Sequence, residues 1–206
     1  VTLDYQGAVL NVLLLWLITT PHEFAHAWMA TKLGDDTPEL EGRVTLHPTA
    51  HVDWLGTVVL PGLTSLLGLG LLGWGKPVNT DLRKLRGGLN GLALVALAGP
   101  VSNLVFALVL GLIAVVSRTI FPEIFDFAGR GVYLSIYLAI LNLMPAPPLD
   151  GSKLLLAARV PMAIYNELSR FGFVLLILLM SFTGLGRWMG VVSYEGTRWI
   201  LRLFGQ

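Results

Sequence analysis

The sequence predicts an all-α polytopic membrane protein with about four full transmembrane helices and one re-entrant or β-hairpin membrane-associated segment. Three observations predict it. Hydrophobic residues make up 54% of the 206 and charged residues only 13%, against roughly 25% charged in a soluble domain. Mean hydropathy is +0.71, which in water would leave large apolar patches exposed. Several runs approach the roughly 20 apolar residues that cross a bilayer. The same composition excludes other classes. Fourteen Lys and Arg against thirteen Asp and Glu give a net charge of +1, so no basic field exists to steer nucleic acid, and so apolar a chain is not intrinsically disordered. There is no cysteine, which removes disulfides, thiolate metal sites and a Cys nucleophile.

The first predicted span covers 7–33, interrupted only by Asn11, Thr19, Thr20 and the cluster His22, Glu23 and His26. It lacks a basic n-region and a small-residue cleavage site, and so reads as a retained helix rather than a targeting segment. The polar stretch 32–53 belongs in water. Residues 54–75 are apolar but rich in glycine around Pro61, which suits a bent or re-entrant segment. A long span, 89–117, contains Gly99, Pro100, Ser102 and Asn103. The next, 131–149, runs into Pro145, Pro147 and Pro148, and 171–186 is the last. In 187–206, Trp188, Val191, Trp199 and Leu203 alternate with Arg187, Arg198 and Arg202, the pattern of an amphipathic interfacial helix.

Cytoplasmic loops are enriched in Lys and Arg. Lys76, Arg83, Lys84 and Arg86 place the 76–86 loop inside, Lys153, Arg159 and Arg170 do the same for 152–170, and the N-terminus falls outside. This parity leaves no full crossing for 54–75, which is expected to dip in from the cytoplasmic side and return. The same orientation puts the arginines of 187–206 outside, against the rule.

An ionisable side chain inside a span costs about 2.5 to 3.5 kcal/mol on insertion scales, so His22-Glu23-Phe24-Ala25-His26 needs a purpose. The two histidines are four apart and share a helix face, so both imidazoles can reach one cation, with Glu23 beside them to face a water molecule. A hydrolytic zinc site takes three protein ligands. His47 and His51 repeat the four-residue spacing around Pro48 and read either as a second metal pair or as interfacial loop histidines. Asp150 ends a span that runs parallel to the first and can lie on the same side as His22 and His26. Taken alone, it reads more readily as the N-cap of a helix beginning Gly151-Ser152.

HEFAH at 22–26, Gly99-Pro100-Val101-Ser102-Asn103, and Asn142-Leu143-Met144-Pro145-Ala146-Pro147-Pro148-Leu149-Asp150-Gly151 together resemble the site-2 protease family of intramembrane zinc metalloproteases. They match its H-E-x-x-H, G-x-x-x-N and N-x-x-P-x-P-x-L-D-G elements, in the family's order. The resemblance implies one membrane-embedded metalloprotease domain over 1–206, with core motifs in 22–151, that cleaves transmembrane protein substrates within the lipid bilayer, its active site toward the cytoplasm. It implies Zn²⁺ as cofactor, His22, His26 and Asp150 as ligands, and Glu23 as general base. Asn103 and Asn142 are placed to meet the substrate backbone or the developing oxyanion, or else to hydrogen-bond between helices. Pro145 and Pro147, with Pro148, break the backbone beside Asp150 and offer an extended stretch to an unwound substrate. The 54–78 region falls where family members have a membrane-associated β-hairpin or loop near the active site. Nothing between the spans is long enough for a PDZ domain and no CBS domain follows the last one, which points to the compact branch and a prokaryotic cytoplasmic (inner) membrane. The rival class is a metal-ion transporter or channel that would use Glu23 as a ligand rather than a base. A catalytically silent scaffold is the third reading, and the intact H-E-x-x-H opposes it.

Overall fold

Three helices carry the architecture: α1 (Tyr5–Lys32), α4 (Leu89–Ser117) and α5 (Pro122–Asn142), each long and apolar enough to cross a membrane. The computed structural model describes residues 4–67 and 73–205, with the backbone alone at Phe173. Among the described residues there is no strand. α1 opens with the Asp4 carboxylate accepting the Gly7 N–H at 2.8 Å. The helix is apolar on every face: Leu14, Leu15 and Ile18 are buried, while Val9, Leu13 and Leu17 point outward, as expected of a helix that meets lipid. With no water to bond, the Thr19 and Thr20 hydroxyls donate back to the Leu15 and Trp16 carbonyls at 2.8 Å. The C-terminal half of α1 packs on the start of α4 through Ala30, Leu85 and Val95. A second cluster, Ala107, Leu110, Val132, Ile136 and Ile200, joins α4, α5 and the C-terminal helix.

Between the spans lie α2 (Thr37–Leu40), a 3₁₀ turn (Pro48–His51), a π-helical turn (Trp54–Val59) and α3 (Leu60–Leu66). α3 lies against the N-terminal half of α1, where the Asn11 amide donates to Ser65 Oγ at 3.1 Å. The remaining helices are α6 (Gly151–Ala157), α7 (Met162–Phe182) and α8 (Leu185–Leu203). α8 buries Met189, Ser193 and Ile200 and exposes Arg187, Glu195, Arg198 and Arg202 together with Trp188, Tyr194 and Trp199.

Several expectations need correction. The span predicted at 131–149 begins at Pro122, because Glu123, Asp126 and Arg130 occupy its opening turns rather than a loop. It ends at Asn142, because the prolines beyond it cannot continue a helix. The predicted fourth span is not a straight one: α7 starts at Met162 and bends by 66° between Met162–Gly172 and Val174–Phe182. No strand of the expected β-hairpin is found among the described residues of the 54–78 region. Residues 54–66 are helical, 68–72 lie outside the described residues, and 73–80 are extended without a strand partner. Both ends of this region lie on one face of the molecule. Asp35, fully buried, accepts the N–H groups of Thr37 (3.0 Å) and Asp81 (2.7 Å), Lys84 pairs with Asp36 at 2.5 Å, and Arg86 donates to the Lys32 carbonyl at 2.5 Å. The chain therefore leaves α1 and enters α4 on the same side, as the parity argument requires.

Candidate metal centre and cavity

Three side chains converge, two from the C-terminal half of α1 and one from the start of α6. His22 and His26, one turn apart on α1, are both buried, and their rings meet edge-to-face with centroids 4.6 Å apart. His26 Nδ1–H donates to the Val95 carbonyl of α4 at 2.7 Å. That carbonyl lies in the turn of α4 preceding Pro100. Since a carbonyl only accepts, the proton of a neutral His26 sits on Nδ1, and Nε2 presents a lone pair. His26 Nε2 lies 3.0 Å from His22 Nε2 and 3.0 Å from Asp150 Oδ2, and His22 Nε2 is 3.1 Å from the same oxygen.

Asp150 stands at the N-cap position of α6, yet its carboxylate makes no capping bond. It turns instead toward the histidines, with Lys153 Nζ at 3.0 Å from its other oxygen, Oδ1. Gly99 of α4 lies over the pair, so close that a Cβ there would fall 2.4 Å from His26 Nε2 and 2.6 Å from His22 Nε2.

This donor set fits a metal ion. Three electron-pair donors meet with at most one proton among them when both imidazoles are neutral, and only a cation satisfies all three. Their mutual distances are close to the roughly 3.3 Å that two donors keep around tetrahedral zinc. Among the described residues, His22, His26 and Asp150 are the only group of this kind. His47 and His51 do not assemble a second one. His51 is fully buried and donates from Nε2 to the Thr45 carbonyl at 2.7 Å, while His47 pairs with Thr49 at the surface.

The centre opens into a cavity of about 630 Å³. Glu23 is in its wall and makes no hydrogen bond to the protein among the described residues, leaving its carboxylate to face the cavity. Asn103 and Asn142 also line it. Asn103 is 1% exposed and its Oδ1 has no hydrogen-bond partner among the described residues, whereas Asn142 Nδ2 donates to the Leu138 carbonyl at 3.0 Å. Pro148 and Leu149 contribute to the wall, but Pro145 and Pro147 do not; Pro147 is buried against Gly172 of α7. Nor is the proline stretch extended as expected. It is folded into tight turns by Ala146 N–H to Met144 C=O (2.8 Å) and Leu149 N–H to Ala146 C=O (2.9 Å).

The extended element beside the centre is instead 73–78. Trp74 N–H donates to the Gly56 carbonyl (2.9 Å), and Trp74 C=O accepts from Thr57 Oγ1 (2.9 Å). Lys76 N–H donates to the His51 carbonyl (2.9 Å), and Lys76 C=O accepts from the buried Arg43 guanidinium. The segment is thus bound to the protein through Trp74 and Lys76, while Gly75 and Pro77 line the cavity. Sequence reasoning missed Arg43 and Lys153, held Gly75 only as part of the 54–78 region near the active site, and saw Gly99 only as part of a motif. Lys153 was within reach, being one turn beyond Asp150.

No family model matches the chain, and no solved structure matches it. Known proteins do. The chain is 31% identical over 216 residues to a Bacillus subtilis protein named "Putative zinc metalloprotease YwhC", covering 98% of this chain and 94% of that one. It is 31% identical to the "Putative zinc metalloprotease Rip2" of Mycolicibacterium smegmatis, over 93% of this chain and 74% of the relative. The same identity, over 98% and 77%, holds for the Mycobacterium tuberculosis protein of that name.

Proposed function

The chain belongs to the site-2 protease family of zinc metalloproteases, and from that premise we propose that it hydrolyses peptide bonds within the membrane-spanning segments of other membrane proteins. The observation that carries this reading is the convergence of His22, His26 and Asp150 inside a bundle of apolar helices, with Glu23 facing the same cavity but standing outside the donor group. A transporter would use Glu23 as a ligand; a peptidase needs it free.

In this reading His22, His26 and Asp150 hold the zinc ion. When bound, zinc supplies a Lewis acid that polarises the scissile carbonyl and lowers the pKa of water toward about 7. Glu23 accepts the proton of the attacking water and returns it to the leaving amine as the C–N bond breaks. Asn103 offers its amide N–H to the developing oxyanion, a donor that adds no net charge. Water reaches the site from the loop side, since Asp53, Thr80 and Lys153, all outside the spanning helices, line the cavity. The free edge of 73–78 takes the unwound substrate as an added strand, with backbone groups of Gly75 and Pro77 as partners. By the Lys and Arg distribution this side is the cytoplasmic one.

The test is proteolysis of a panel of single-span membrane substrates by detergent-purified protein, with zinc quantified in the same samples. Wild type is expected to cut with about one zinc per chain, and Glu23→Gln to keep the zinc while losing about 10²- to 10⁴-fold in rate. Equal cleavage by the Gln variant, or no zinc in either protein, would sink the assignment.

A further inference from the structure

We propose that Lys153 is a positioning residue for the metal centre, holding Asp150 as a ligand through one oxygen only. This rests on the peptidase reading and adds a residue to it. The two oxygens of Asp150 have separate surroundings. Oδ2 is the atom shared by both histidines, and Oδ1 meets Lys153 Nζ at 3.0 Å. Lys153 stands three residues on, in the first turn of α6, so both side chains emerge on one face of the helix. The Lys153 side chain is about one-third exposed and lines the cavity, while that of Asp150 is nearly buried.

Without the lysine, two competing arrangements open to Asp150. The carboxylate can turn so that both oxygens approach the ion, which changes the coordination number. It can also swing back to its ordinary task at an N-cap and compete for the N–H groups of Ser152 and Lys153, which here are held by the Leu149 (3.0 Å) and Asp150 (2.9 Å) carbonyls. Lys153 disfavours both by giving Oδ1 a charged donor on the side away from the histidines. An ammonium is suited to this role because it has no acceptor and cannot itself become a ligand while charged.

The experiment measures zinc affinity by chelator competition on the full chain in detergent, for wild type, Lys153→Met and Lys153→Arg, together with the visible spectrum of the Co²⁺-loaded forms. Lys153→Met is expected to weaken zinc about 10- to 100-fold, the scale of losing a partner behind a ligand. Its cobalt absorption should change in intensity, since that band reports coordination number and geometry. Lys153→Arg, which keeps the charge and a donor, should recover most of the loss. Wild-type affinity and an unchanged cobalt spectrum in Lys153→Met would overturn the proposal. If that variant does not elute as a folded species, Lys153→Gln against Lys153→Arg decides: the Gln form must bind more weakly, and equal affinity overturns it. A wild-type protein that binds no zinc would instead remove the peptidase reading, a distinguishable failure.

Discussion

At residue 99 the presence of one methyl group decides whether two histidines can turn their Nε2 atoms toward Asp150. His26 is fixed from behind by the Val95 carbonyl, so it cannot retreat from a Cβ placed 2.4 Å from its Nε2. Gly99→Ala is therefore expected to lower zinc affinity by at least about 10-fold. Alanine favours a helix interior over glycine by about 1 kcal/mol, which offsets only part of an overpacking cost of about 1 to 3 kcal/mol, so the metal-free protein should also melt somewhat earlier than wild type. Chelator competition and thermal unfolding with a chelating agent present separate these effects, and a variant that binds zinc normally would show that the histidines do not depend on the close approach. Gly75 gives a contrasting case. A Cβ there would lie 3.3 Å from Glu23 Cγ and Oε1 and from Thr19 Cβ, a contact that displaces the carboxylate by a few tenths of an ångström without touching the ligands. Gly75→Ala should lower kcat while leaving zinc content unchanged. A parallel fall in zinc content would mean that Glu23 and the ligands move as one unit.

The extended segment 73–78 depends on elements well before it in the chain, and its anchor is sensitive to pH. The Lys76 backbone is bound between the Arg43 guanidinium and the His51 carbonyl, and His51 Nδ1 lies 3.5 Å from Arg43 Nη2. Burial holds the His51 imidazole below its ordinary value of 6.5; the Thr45 carbonyl opposes that shift and the Arg43 charge reinforces it. The folded value is thus lower than the unfolded one, so as pH falls through about 6.5 the unfolded chain takes the proton first. The stability His51 contributes is complete above that pH and is lost as pH drops toward the folded value. Asp81, held at about 2 by its hydrogen bonds with Arg83, acts only below the ordinary carboxylate range and leaves this window clear. His51→Gln, which can still donate to Thr45, should flatten the fall in Tm between about pH 7.5 and pH 5; an identical fall in both proteins would exclude His51 as its source. Such elements were legible to different degrees. The span 89–117 reads directly because lipid demands an unbroken apolar run, and α4 occupies Leu89–Ser117. α5 was misplaced because Glu123, Asp126 and Arg130 look like a loop when they are the opening turns of a helix. His22, His26 and Asp150, the group that could hold a metal ion, were legible from spacing and motif. Arg43 and His51 were not, since nothing in a polar loop signals that Arg43 folds inward to hold the Lys76 carbonyl, or His51 to hold that of Thr45.

For the whole molecule, everything about access depends on which faces of the membrane the loops occupy, and the Asp35 knot sets that relation. A fully buried carboxylate that accepts two backbone N–H groups is worth roughly 1.5 to 3 kcal/mol per charged bond, and it ties residues 35 and 81 to one side. If 54–75 crossed the membrane completely, this knot could not form. The cysteine-free sequence allows the arrangement to be tested with single cysteines at exposed positions. Leu40 is 78% exposed and the Arg83 side chain 90%, and Thr119 is exposed just beyond the far end of α4. In intact cells a membrane-impermeant maleimide should label Thr119→Cys but neither Leu40→Cys nor Arg83→Cys, and permeabilisation should expose both of the latter. Positions 40 and 83 labelled from opposite sides would refute the re-entrant segment. If 40 and 83 were labelled from outside and 119 only after permeabilisation, the fold would stand but the orientation would be reversed. The cavity, whose polar mouth is formed by Asp53, Thr80 and Lys153, would then draw its water from the outer face, and the cytoplasmic site would have to be abandoned while the metal centre was kept.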